Sequence, residues 1–330
     1  MNTKTKIAIV GTGIISEKLA GALSGCQSIE ATAVYSRSKE KAEGFAHTYE
    51  IPEVYTDLEK LAKTPTVNAV YIASPNSCHY DQTMLMMRNG KHVLCEKPIA
   101  TSADEFSRML DTAKENGVVL LEAMRFFHAP GLGMVRALLP KIGPVRRASL
   151  IFNQYSSKYD AFKAGATPNI FSKEFAGGAL MDLGVYCVEL MVALFGEPDR
   201  ITSSSIFMRT GVDGQGAVIA KYKGFLAELS YSKISQATTP CVIQGEEGSL
   251  LFTKASVIDK IDIIKRNGEK QQIICHTVEN DMIYELQAFA ETIAKPQEAE
   301  IYSNYTMAAQ SIMDEIKRQQ ENEIETELYS

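Results

Sequence analysis

The sequence predicts an α/β chain of two domains: an N-terminal domain with a parallel sheet, and a C-terminal α+β domain with an open, mostly antiparallel sheet. Three observations predict it. At 330 residues the chain exceeds the usual span of one hydrophobic core. Over residues 6–121 short apolar runs alternate with segments of helical period, the pattern of successive βαβ units covered on both faces. Beyond residue 144 the rhythm changes to longer strands of alternating apolar and polar residues between turn residues. The boundary is placed between 1–122 and 123–330.

In the first domain the strands read KIAIV, EATAVY, NAVYIAS, HVLCE and VVLLE. Thr56 with Glu59 and Ser102 with Glu105 match capping boxes, while Asn89-Gly90 and Gly117 stand where a left-handed residue ends a helix. In the second domain the strands read RRASLIFN, ITSSSIFM, GAVIAKY, FLAELSYS and PCVIQG, with turns at Gly245, Gly248 and Asn267-Gly268. Helical period returns over residues 180–194 and again over 279–317, broken at Lys295-Pro296.

Composition narrows the function. With 45% hydrophobic and 22% charged residues the chain is neither disordered nor a disulfide scaffold. A net charge of -6, without a long Lys/Arg run, gives no footprint for nucleic acid or an anionic membrane, so small-molecule partners are expected. The six cysteines are scattered without CxxC or zinc spacing, which predicts free thiols and no metal site. The opening MNTKTKIAIVGTG runs from a polar lead straight into a strand, so a cytoplasmic location is expected.

Gly11-Thr12-Gly13-Ile14-Ile15-Ser16 follows the first strand and opens a helix. Gly11 and Gly13 let the backbone approach a pyrophosphate, whose charge would face the N–H groups at Ile14 and Ile15. Ser16 replaces the third glycine of the pattern. Alone, such a motif fits any tight strand-to-helix turn; inside repeated βαβ units it reads as a Rossmann-type dinucleotide site. The second strand ends in Tyr35-Ser36-Arg37-Ser38, where a carboxylate would hold the ribose hydroxyls of NAD. Ser36 and Arg37 suit a 2'-phosphate instead, which points to NADP with NAD still possible. The competing reading is a solvated Arg37 followed by Ser38 as a helix cap.

Two further strands run into Ser74-Pro75-Asn76-Ser77-Cys78-His79 and into Cys95-Glu96-Lys97-Pro98, at the carboxyl ends where parallel sheets bind ligands. Ser74, Pro75, Asn76, His79, Glu96 and Lys97 are therefore candidates for contact with the cofactor. A lysine beside an oxidised nicotinamide has its charged form disfavoured; a fall from about 10.4 toward 7 or 8 corresponds to roughly 4 kcal/mol and suits proton transfer near neutrality. An isolated EKP would otherwise read as an exposed lysine before a helix. Farther on, GGALMDLGVY places Asp182 and Tyr186 on one helix face, beside a glycine-rich approach. An acid in a first turn and a tyrosine in a core would explain both residues separately. With Lys97 they make a carboxylate, a phenol and an ammonium able to bind a diol or carbonyl and relay its proton.

Taken in order, GTGIIS, YSRS, SPNSCH, CEKP and GGALMDLGVY resemble the glucose-fructose oxidoreductase and inositol dehydrogenase family, Gfo/Idh/MocA, over nearly the whole chain. The resemblance implies Lys97 and Tyr186 as central proton-transfer and substrate-orienting groups, Asp182 as a ligand of substrate hydroxyls, and Glu96 and His79 at the nicotinamide ribose. It implies a cis bond at Lys97-Pro98 and association through the open sheet face into a homodimer or higher homo-oligomer. Tyr186, where inositol dehydrogenases carry histidine, looks more like the dihydrodiol dehydrogenase branch. The activity implied is hydride transfer between nicotinamide and a carbinol or carbonyl carbon of a sugar, polyol, diol or dicarbonyl compound. The alternatives are a regulator sensing a dinucleotide or sugar, and an enzyme that oxidises transiently to enable elimination. Arg125 fits either an anionic ligand or a core acid and identifies no substrate.

Overall fold

The computed structural model describes residues 4–276 and 278–329, with side chains through residue 323. The chain forms two compact units, Met1–His128 with Val278–Asn304, and Ala129–Thr277 with Tyr305–Ser330.

The first unit runs β1 (Thr5–Val10), α1 (Ile14–Leu23), β2 (Ile29–Tyr35), α2 (Lys39–Thr48), β3 (Glu53–Tyr55), α3 (Leu58–Lys63), β4 (Ala69–Ile72), α4 (His79–Arg88), β5 (His92–Glu96), α5 (Ala103–Glu115), β6 (Leu120–Ala123) and α6 (Arg125–His128). Its sheet has the order β3-β2-β1-β4-β5-β6. All five pairings are parallel. The order reverses between β1 and β4, so the loops after these strands diverge and leave the crevice where such sheets take ligands. The short edge strand β3 carries too few residues to show alternation, which is why the sequence pattern passes over it. Ser102 caps α5 by accepting from the Glu105 N–H at 3.2 Å. The α3 cap is Asp57, not Thr56: its carboxylate accepts from Glu59 and Lys60 N–H groups at 2.9 and 3.2 Å, and an anion there also meets the helix dipole. Gly90 and Gly117 have φ of 73° and 63°, the left-handed geometry expected of them.

The second unit contains α7 (Pro130–Leu138), β7 (Val145–Asn153), α8 (Tyr159–Lys163), a π-helical turn Leu180–Gly184 continuing into α9 (Val185–Phe195), and then seven strands. These are β8 (Arg200–Phe207), β9 (Asp213–Tyr222), β10 (Phe225–Ser232), β11 (Cys241–Gly245), β12 (Gly248–Lys254), β13 (Val257–Lys265) and β14 (Lys270–Ile274). The sheet order is β14-β13-β12-β11-β7-β10-β9-β8, antiparallel except where β7 and β10 run parallel. One face, carrying Leu150, Phe152, Val218, Leu229 and Tyr231, is buried, and α9 packs against it. The apolar stretch Lys173–Phe195 is long enough to cross a membrane by composition, but 83% of its most apolar window is buried inside the protein, so it is core. The opposite face presents Ile206, Ile219 and Leu226, which are 58%, 45% and 44% exposed.

The chain then returns to the first unit through α10 (Met282–Ala294) and the start of α11 (Ala299–Tyr329). Met282, Leu286 and Phe289 join the core built on Ile7, Leu19, Tyr71 and Leu121. A single division at residue 122 is thereby corrected: the first unit extends through α6 and recovers residues 278–304. Periodicity shows that residues 282–294 are helical and amphipathic, but not which sheet their apolar face covers.

Candidate active site

In the first unit, Gly11 has φ 115°, and a Cβ there would lie 2.7 Å from the Ala73 carbonyl oxygen, so only glycine lets β1 and β4 come this close. A Cβ on Gly13 would meet nothing within 4 Å. The α1 N-terminus has no side-chain cap, Ile14 is 84% exposed, and the Ser16 hydroxyl is buried without a hydrogen-bond partner among the described residues. An open approach, uncapped helix N–H groups and an orphan donor fit a dinucleotide pyrophosphate. At the end of β2, the Ser36 N–H donates to Tyr55 O at 3.2 Å, and Ser38 caps α2 by accepting from the Lys41 N–H at 3.3 Å. Arg37 is exposed and makes no ion pair among the described residues.

The next loops are tied to one another. Ser74 donates its hydroxyl to Gln82 Oε1 at 2.8 Å. Pro75 begins the short turn Asn76–Cys78. His79 is 1% exposed, with Nδ1 2.8 Å from Pro98 O and Nε2 2.9 Å from Ser74 O. Burial lowers its pKa, and both ring nitrogens already face backbone carbonyls. His79 therefore braces the loops after β4 and β5 through both ring nitrogens. The Lys97–Pro98 bond is cis. Glu96 accepts from the Tyr71 hydroxyl at 2.5 Å and from the Lys97 N–H at 3.2 Å, and Ile99 N–H donates to buried Glu122 at 2.8 Å. Burial raises the Glu96 carboxyl against the opposing pull of Tyr71, Lys97 and Arg125. Behind it, Glu285 of α10 is fully buried, with neither carboxyl oxygen hydrogen-bonded among the described residues. Burial first, then the charge of Glu96, push Glu285 well up, toward a neutral acid. Arg125 pairs with Asp281 at 3.0 Å, a core acid that also binds Lys18 at 2.8 Å, which settles the two readings of Arg125.

In the second unit, Asp182 lies in the π-helical turn and Tyr186 in the first turn of α9. Asp182 forms an ion pair with Lys233, whose side chain is 7% exposed against 33% for the acid. Tyr186 is 6% exposed, its ring edge-on to Phe152 with centroids 5.5 Å apart. The turn starts on a second buried acid: Asp213 accepts from the Leu180 N–H at 2.7 Å. Burial, opposed by the Leu180 and Ala179 N–H groups and by Lys233, raises the Asp213 carboxyl from 3.8 to about 6. Lys233 and Asp213 escaped the sequence reading because each sits at a strand end among ordinary polar residues, with no local motif.

A raised carboxyl binds its proton more tightly in the folded state, so Asp213 contributes stability that is fully present below pH 4 and lost as pH rises to 6. About two pH units correspond to roughly 3 kcal/mol. Denaturation of wild type and Asp213→Asn at several pH values should show wild type losing about that much relative to the variant between about pH 4 and 7. A constant difference would remove the titration.

A dinucleotide-binding parallel-sheet unit, joined to an open-sheet unit that carries an acid and a phenol on one buried helix, defines a nicotinamide-dependent oxidoreductase. Residues 5–124 match the oxidoreductase family model with an NAD-binding Rossmann fold, and residues 137–251 match the GFO/IDH/MocA C-terminal domain. The chain belongs to the GFO/IDH/MocA oxidoreductase family. It is 39% identical to the scyllo-inositol 2-dehydrogenase (NADP(+)) IolU of Bacillus subtilis, over 95% of this chain and 96% of that one. It is 32% identical to the trans-1,2-dihydrobenzene-1,2-diol dehydrogenase of Xenopus tropicalis, over 96% and 98% of the two chains. A 3-ketoreductase from Actinomadura kijaniata, crystallised with NADP and TDP-benzene, shares the fold with TM-score 0.88 at 22% identity, over 96% of this chain and 98% of that one. The relatives thus include both an inositol dehydrogenase and a dihydrodiol dehydrogenase.

Proposed function

We propose that the protein is an NADP-dependent dehydrogenase that interconverts a ring hydroxyl and a ketone on a cyclic polyol or vicinal diol, with an inositol as the first candidate. The observation that carries this reading is the pair Asp182 and Tyr186 on consecutive turns of a buried helix, with the acid reaching solvent and ion-paired to Lys233. NADP preference rests on Ser36 and Arg37 at the end of β2, where the chain has no carboxylate. The names of IolU and of the Actinomadura structure agree with it.

Gly11, Gly13, Ile14 and Ile15 would hold the pyrophosphate, Ser36 and Arg37 the 2'-phosphate, and Ser74, Pro75, Asn76 and Glu96 the nicotinamide half. When bound, the nicotinamide supplies the acceptor or donor of hydride. Asp182 accepts hydrogen bonds from substrate hydroxyls, Tyr186 takes the proton of the reacting hydroxyl as its own passes to the neutral Lys97 amine, and the ammonium so formed stabilises the developing alkoxide. Oxidation thus yields a ketone, reduced cofactor and one proton released through Tyr186 and Lys97.

The protein is also proposed to form a homodimer or higher homo-oligomer through the open face of the second unit's sheet, where Ile206, Ile219 and Leu226 lie exposed on neighbouring strands. A cytoplasmic location remains part of this reading.

Fluorescence titration tests the cofactor assignment. Arg37→Ala should weaken NADPH binding by about 10- to 100-fold, through loss of a charge-assisted contact, and leave NADH binding within about twofold. Equal weakening of both, or of neither, would remove Arg37 from the 2'-phosphate.

A further inference from the structure

Lys233 lies outside every sequence motif, yet the fold constrains both its backbone and its side chain. It follows β10 directly. Its N–H donates to Gly214 O at 2.8 Å, and its carbonyl accepts from the Ser156 N–H at 2.9 Å, so the backbone is fastened to both flanking segments. The side chain is nearly inaccessible and ends on the Asp182 carboxylate. A buried ammonium without an anion costs several kcal/mol, so this charge is committed to a partner by the fold itself. That partner is the one acid of the π-helical turn, and π turns inside helices recur at functional sites.

We propose that Lys233 is a positioning residue, fixing the Asp182 carboxylate in the orientation and charge state that receives substrate hydroxyls. The proposal rests on the substrate role given to Asp182 above. The elements packed on the turn are β9, β10, α9 and β7. β9 brings Asp213, already engaged with the Leu180 N–H; β10 brings Tyr231; α9 brings Tyr186, Cys187 and Glu189; and the basic residues of β7, Arg146 and Arg147, pair with Glu246 and Glu228. Asp213 also senses Lys233, though less than it senses its burial and backbone partners. Lys233 is thus a cation that the structure places directly against Asp182.

A purely structural ion pair and a positioning pair differ in what they move. The test uses the full-length enzyme with NADP and scyllo-inositol, comparing wild type, Lys233→Met, Lys233→Arg, Asp182→Asn and Tyr186→Phe. Lys233→Met should bind NADPH as wild type does. Its KM for scyllo-inositol should rise at least about tenfold with a smaller change in kcat, the pattern of lost substrate binding. The acid limb of kcat/KM should move up by roughly one pH unit, because a carboxylate deprived of its cation protonates more easily. Lys233→Arg should restore most of KM and return the limb. In Lys233→Met/Asp182→Asn the lysine substitution should add little, since its effect passes through the acid.

A Lys233→Met enzyme with wild-type KM and pH profile, while Asp182→Asn and Tyr186→Phe are impaired, overturns the role of Lys233 alone. Wild-type kinetics in Asp182→Asn and Tyr186→Phe as well would remove the site assignment, and the proposal with it. If Lys233→Met does not fold, Lys233→Arg decides: an unshifted acid limb and KM support the proposal, and a tenfold KM defect in a stable Arg variant opposes it.

Discussion

Lys97→Met should lower kcat by about a thousandfold, roughly 4 kcal/mol of transition-state stabilisation, and leave NADPH affinity within a fewfold of wild type. The turn that carries Lys97 is held by groups other than its ammonium. The Lys97 N–H binds Glu96, the Pro98 carbonyl meets His79, and the Ile99 N–H binds Glu122. Methionine has similar length and no charge, so it should leave that turn in place while removing the cation from the developing alkoxide. The contacts assigned to pyrophosphate and 2'-phosphate lie after β1 and β2, away from the substitution in sequence and strand order. Steady-state turnover of scyllo-inositol, the first candidate of the proposed substrates, read together with an NADPH titration, separates the two effects. Normal turnover would take Lys97 out of the chemistry, and loss of both activities would mean that the turn itself had failed.

The parallel sheet was legible because its signals are local. Each of the longer strands is a short apolar run, several helices have their own start or stop residue, and the ligand loops follow the strands directly, so Gly11, Arg37, Ser74 and Lys97 could be placed from neighbours in sequence. What could not be read depends on distance along the chain. Asp182 meets Lys233 across 51 positions, and Leu180 meets Asp213 across 33. α10 joins the first unit after the whole second sheet has been built, bringing Glu285 into its core and Asp281 to Arg125. The bracing by His79 is hidden for a related reason: the carbonyls on both sides of its ring come from two different loops. Tyr71, in the middle of an apolar strand, likewise shows nothing in sequence of the hydroxyl it extends to Glu96.

The glycine pair before Asp182 shows how a motif can be recognised while its physical reason lies elsewhere, and it gives the second large expected effect. Gly178→Ala should destabilise the protein by roughly 3 to 5 kcal/mol. Gly178 has φ 121°, and a Cβ there would stand 2.2 Å from Asp213 Oδ1. Alanine must therefore adopt a strained backbone and also displace the carboxylate that accepts from the Leu180 N–H. Gly177 is confined by close approach alone, its Cβ position 2.6 Å from the Ile170 carbonyl oxygen. The glycines let the chain fold under β9 so that a buried acid can start the turn bearing Asp182; they need not make room for a ligand. If this is so, the two parts of the effect are separable by denaturation. Asp213→Ala added to Gly178→Ala should relieve the clash but not the backbone strain, giving a double variant less destabilised than the sum of the single ones by roughly 1 to 3 kcal/mol. Additive losses, or a Gly178→Ala protein as stable as wild type, would mean that Asp213 does not dictate the glycine.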